Sequence, residues 1–165
     1  MMALLGLGQG LQPLAGYNFG ARQIDRVRKT ISIVFRTAIL VGLAAGALAF
    51  FGAESIIRIF APQDTDVIRM GVEAIRYMSV ALVPVGLVIM FGGVFQALGD
   101  GRSALLLAAG QQGLFLLPLI IFLPRFLGVS GVFAAMPLGF VMAFVIGLVL
   151  MIKTARNLRL MEQTA

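Results

Sequence analysis

Tyr77–Leu98, Ser103–Leu123 and Val129–Ile152 each run for more than twenty residues without a single charge. An α-helix needs about 20 predominantly apolar residues to cross the hydrocarbon core of a bilayer, so each run is long enough to span. Ile31–Phe51 makes a fourth such segment, apolar apart from Arg36 and a few hydroxyls. The runs lack the strict alternation of a barrel wall, and an open sheet edge cannot face lipid. The expected class is therefore an all-α integral membrane protein. Composition agrees: 60% of residues are hydrophobic and 12% charged, with a mean hydropathy of +1.02, whereas a soluble domain carries about 25% charged residues.

The opening segment, 1–21, is a weaker fifth candidate. It carries no charge before Arg22, yet Gly8, Gly10, Gly16 and Gly20 loosen it, Pro13 interrupts it, and Gln9, Gln12 and Asn18 add polar groups. The expected spans are thus 1–21, 31–51, 77–98, 103–123 and 129–152 of one transmembrane domain, followed by a polar tail over 153–165 that starts helical. Pro62 is expected to close one helix, and Asp64 or Asp66 to cap the next by accepting from its first N–H groups. The short Asp100-Gly101 connection makes its two flanking helices antiparallel neighbours.

The charges partition between the two ends of such a bundle. Alternate connections, together with Arg36, hold nine basic residues (Arg22, Arg26, Arg28, Lys29, Arg36, Arg102, Lys153, Arg156, Arg159) against Asp25, Asp100 and Glu162. The opposite end holds Arg58, Arg69, Arg76 and Arg125 against Glu54, Asp64, Asp66 and Glu73. Lysine and arginine concentrate on the cytoplasmic side of membrane proteins, so an external N-terminus and a cytoplasmic C-terminus are expected. The basic excess is a topology signal, and no nucleic-acid partner is expected. No basic region and cleavage site of a signal peptide stands out.

Cysteine, histidine and tryptophan are absent. That excludes disulfides, thiol catalysis, the usual Cys/His zinc site and a histidine proton relay. No catalytic residue, metal ligand or cofactor is expected, and the chain is not read as an enzyme. An acid inside the membrane would be a functional residue by default, but every Asp and Glu falls near an expected membrane face, where helix capping and solvation explain Asp64, Asp66 and Glu73, and a turn explains Asp100. Arg36 either snorkels to the headgroups or meets a partner acid or substrate path. Pro13, Pro84, Pro118 and Pro137 fall within spans, and each removes an intrahelical hydrogen bond. Gly42/Gly46, Gly16/Gly20 and Gly6/Gly10 are spaced for close helix packing. The amides Gln9, Gln12, Asn18, Gln96, Gln111 and Gln112 face either a substrate or neighbouring helices. Methionines and phenylalanines, such as Met90, Phe91 and Phe95, supply adaptable apolar surface, for core packing or for promiscuous binding.

Two stretches carry a family resemblance. QPLAGYNFGAR, Gln12–Arg22, followed by IDRVRK, resembles the end of the eighth helix of multidrug and toxin extrusion (MATE) transporters. FQALGDGR, Phe95–Arg102, resembles the cytoplasmic end of that family's tenth helix. The resemblance implies a bundle of about five transmembrane helices corresponding to helices 8–12 of twelve, a partial C-terminal lobe. It implies part of a multidrug efflux antiporter of the bacterial inner membrane, exporting cationic or amphipathic small molecules in exchange for H+ or Na+. It also implies a missing N-terminal lobe or complementary chain as partner, Met1-Met2 being a truncated gene start or an internal methionine, and no activity for the isolated piece. Some members carry an acid in the tenth helix; Tyr77–Leu98 has none, which counts against a sodium site there. Candidate cavity or hinge residues are Gln12, Pro13, Asn18, Pro84, Gln96 and Gln111. The alternatives are a lipid-linked oligosaccharide flippase of the same superfamily, which should bring basic residues to its cavity, and a non-transporting membrane subunit or truncated gene product.

Overall fold

A computed structural model describes residues 2–60 and 64–163, and within them the backbone is helical almost throughout. The order is α1 (Met2–Gly20), α2 (Ile24–Phe60), α3 (Thr65–Ala97), α4 (Gly101–Ala109), a π-helical segment (Gly110–Phe115), α5 (Leu116–Leu127) and α6 (Val129–Gln163). α4, the π segment and α5 run on as one rod, so the architecture is five rods. Four of them, 24–60, 65–97, 101–127 and 129–161, are long and apolar enough to cross a membrane. At 1.5 Å per residue α1 measures about 28 Å, close to the hydrocarbon thickness, whereas α2 reaches about 55 Å and must project beyond it.

The helices therefore outrun the apolar stretches read from the sequence. Hydropathy marks where lipid begins, but the i→i−4 ladder continues into water while capping and propensity support it. At the start of α3, Asp64 caps as expected, its Oδ1 accepting from the N–H groups of Asp66 and Val67, each at 3.1 Å. Pro62 lies outside the described residues. At the far end of α3 the chain turns in three residues. Gly99 takes φ +74, the Asp100 N–H donates to the Phe95 carbonyl at 2.8 Å, and the Gly99 N–H donates to Gln96 at 3.1 Å. This pair of bonds is the Schellman arrangement, which satisfies carbonyls that the helix end leaves open. Asp100 then caps α4 through Ser103, whose N–H and hydroxyl both donate to it at 3.1 and 2.6 Å.

α3 is the axis of the bundle, packing against α1, α2, α4 and α6. Of its most apolar 18-residue stretch 61% is buried, against 17% in α2, 18% in 101–127 and 22% in α6, whose large side chains face outward. Two buried clusters flank it. Leu4, Leu11, Val27, Met90 and Val94 join α1 and α2 to α3. Phe91, Phe95, Leu107, Phe115 and Ala143 join α3 to α4, the π segment and α6. Of the small-residue pairs, Gly42/Gly46 lies against α3 at Ser79–Val83, and Gly16 approaches Ala97, while Gly6, Gly10 and Gly20 meet nothing.

Candidate functional site

α1 and α3 touch through glycine. A Cβ at Gly93 would come within 3.3 Å of the Gly8 carbonyl oxygen, and one at Gly8 within 3.0 Å of Ile89. This close approach aligns the polar positions one turn further along. The Gln12 Nε2–H donates to Gln96 Oε1 at 3.1 Å, a bond between residues far apart in sequence. Beside that pair a cavity of about 250 Å³ opens between α1, α3 and α4, and Gln9, Gln12, Gln96 and Gln111 all line it. None of its lining residues is ionisable; the remaining wall is glycine, alanine, leucine, valine and isoleucine. Each amide offers more donors and acceptors than the one bond uses.

The fourth amide arrives on the π segment. In a π turn each N–H reaches five residues back, so the turn is wider and its side chains fan out. Pro118 lies just beyond, and a proline ring in a regular helix would clash with the carbonyl four residues earlier, here that of Leu114 within the wide turn. A Cβ at Gly110 would come within 3.0 Å of the Phe115 ring, so glycine eases the turn at that position. π turns in otherwise α-helical rods concentrate at functional sites, and this one carries Gln111 to the cavity wall. The sequence marks the place by Gly-Gln-Gln-Gly before a proline, but that pattern reads equally as an ordinary polar break, so the widening was not foreseen.

The structure brings together Gln12, Gln96 and Gln111, and adds Gln9. Asn18 does not join them: its Nδ2–H turns back to the Leu14 carbonyl at 2.7 Å, inside its own helix. Pro13 follows Gln12 on the exposed face of α1. Pro84 is half-buried in α3, about 18 Å along the axis from Gln96. α1, α3 and α6 pass through Pro13, Pro84 and Pro137 without a break. Arg36 is exposed on α2 and does not line the cavity.

A larger cavity, about 880 Å³, sits at the opposite end of α3, between α2 and α6. Its walls are Phe50, Tyr77, Val80, Ala134, Pro137 and Leu138, with Glu54, Arg69, Glu73 and Arg76 at its margin. Two of these charges, Glu54 and Arg76, are locally engaged. Arg58 bonds Glu54 at 2.7 Å, and the Arg76 guanidinium lies 5.4 Å from the Phe50 ring centre. Size favours this cavity, but the convergence of hydrogen-bonding groups from three rods favours the smaller one.

Comparison with known proteins gives a consistent answer. The profile of the MatE family matches residues 1–122. The multidrug export protein MepA of Staphylococcus haemolyticus is 26% identical over 131 residues, 79% of this chain and 28% of that protein. Among solved structures, the MATE multidrug transporter DinF-BH in complex with R6G superposes with a TM-score of 0.87 and 36% identity, over 96% of this chain and 35% of that one. An inward-facing MATE family transporter of the MOP superfamily gives a TM-score of 0.84 at 19% identity, over 98% of this chain and 37% of that one. The chain thus spans about a third of the length of the proteins it matches.

Proposed function

The chain belongs to the MatE family, and on that premise we propose that it forms part of the C-terminal lobe of a multidrug efflux antiporter of the bacterial inner membrane. The observation that carries the reading is the convergence of Gln9, Gln12, Gln96 and Gln111 on one cavity with an interhelical Gln12–Gln96 bond. Uncharged amides on an otherwise apolar wall suit amphipathic, cationic compounds of varied shape, because they bond polar atoms without demanding a fixed counter-charge. The coupling ion, H+ or Na+, then acts through groups supplied by the N-terminal lobe. Rocking of the two lobes exposes the cavity alternately to each side, with the Lys/Arg-rich end in the cytoplasm. A lipid-linked oligosaccharide flippase is not favoured, since the hydrogen-bonding groups of this cavity are neutral.

The test is R6G efflux from proteoliposomes under an imposed proton or sodium gradient. The chain alone should give none. Joined to a complementing N-terminal lobe it should export the dye, and Gln12→Ala/Gln96→Ala should slow export about tenfold, the equivalent of roughly 1.4 kcal/mol. Ion-driven export by the chain alone would refute the partial-lobe reading, and no export in either arrangement would favour a non-transporting subunit.

A further inference from the structure

A third cavity, about 450 Å³, lies between the first turns of α2 and the last turns of α6. Its polar lining is Asp25, Arg28, Lys29, Ser32 and Arg159. Its floor is apolar: Ile31 and Leu158 are buried, and Met151 and Ala155 half-buried. Leaving Arg28 aside, Lys29 and Arg159 against the Asp25 carboxylate keep the lining positive. The neighbouring cation of α6 is differently placed. Lys153 acts on Asp100, whose carboxyl lies below its ordinary value chiefly through the Ser103 hydroxyl and N–H, with Lys153 and Arg102 adding to the effect.

Depth along the helices identifies what such a cavity meets. The apolar run of α2 begins at Ile31 and that of α6 ends at Ile152, so the cavity straddles the edge of the hydrocarbon, with Ile31 and Met151 at the edge and Ala155, Leu158 and the cations beyond it. A basic recess between transmembrane helices at headgroup depth is complementary to a phosphodiester with acyl chains below it. We propose that this recess binds an anionic phospholipid, its phosphate held by Lys29 and Arg159, its glycerol region beside Ala155 and its first acyl methylenes lying along Met151. The bound lipid ties the start of α2 to the end of α6. The site is separate from the amide cavity and does not depend on the transport reading.

The chain contains no tryptophan, so Ile33→Trp, at an exposed position beside the recess and outside its lining, provides a single emitter. In phosphatidylcholine vesicles with rising fractions of dibrominated phosphatidylglycerol, its quenching should report a preference of about tenfold for the anionic lipid. On that background Lys29→Gln/Arg159→Gln should bring the preference to about one, whereas Lys29→Arg/Arg159→Lys should retain it, which separates loss of charge from loss of fold. Arg22→Gln/Arg102→Gln removes as much charge from the same end and should leave the preference intact. A parent preference near one, an equal loss in the Arg22/Arg102 variant, or relief of quenching by millimolar inorganic phosphate would each overturn the proposal, the last because it would mark a site for free anions.

Discussion

Gly46 sets how closely α2 can approach α3, because a Cβ there would lie 2.9 Å from the Ser79 carbonyl oxygen, a backbone atom with little freedom to yield. Gly46→Ala is therefore expected to destabilise the bundle by about 1–3 kcal/mol, the usual cost of overpacking, in denaturant titrations followed by circular dichroism in detergent. Gly10 carries the same residue type at similar spacing but meets nothing, so Gly10→Ala should stabilise by about 0.5–1 kcal/mol through helix propensity. Opposite signs in the two variants would confirm that Gly46 serves packing and Gly10 does not. Asp100 gives a prediction in pH. Its folded carboxyl is held below 3.8 by its bonds to Ser103, so its capping contribution is present in full above the ordinary aspartate value. That contribution fades as pH falls through the lower, folded value. Asp100→Ala should cost about 1 kcal/mol at neutral pH, and melting curves of the two proteins should converge only at pH below 3.8.

At the scale of the helix, the π segment and the packing of α3 are the informative elements. Phe91 is buried, with its ring 5.3 Å from Phe35 and 6.0 Å from Phe144, so one side chain ties α2 and α6 to the axis. In lipid the unfolded helices are also in an apolar solvent, which leaves packing rather than transfer as the loss. Phe91→Ala should thus cost about 3 kcal/mol, the low end for aromatic truncation, measured by the same unfolding assay. For the π segment, the clash a proline at 118 would make with the Leu114 carbonyl favours the wide turn. Pro118→Ala should let Gly110–Phe115 tighten to α-helix, seen as slower amide exchange over those residues. Unchanged exchange would place the cause in the close approach of Gly110 to Phe115 instead.

For the molecule as a whole, the chain is a multi-pass helical membrane protein of the MatE family, with α3 as its axis. Solvent and the helical class were legible in the sequence, because hydropathy is a sum over residues and needs no knowledge of partners, and the family was legible through the resemblance of two short stretches, Gln12–Arg22 and Phe95–Arg102. The cap at Asp64 was legible too, since a cap is written within four residues of itself, whereas Asp100 reads in the sequence only as a turn residue and its cap on Ser103 comes from the structure. The candidate site was readable only as a set of amides. Gln12, Gln96 and Gln111 are distinguished from Asn18 by contacts across helices, and Asn18, equally polar and on the same helix, spends its donor on Leu14. Hydropathy alone therefore settled that this chain lives in a bilayer as helices. Which amides meet, which glycines pack and which cations gather into a recess was decided by the azimuth of each helix about its neighbours. That azimuth depends on side chains far apart in the chain, on backbone approach at Gly8 and Gly93, and on a wide turn before Pro118 that no local pattern specifies.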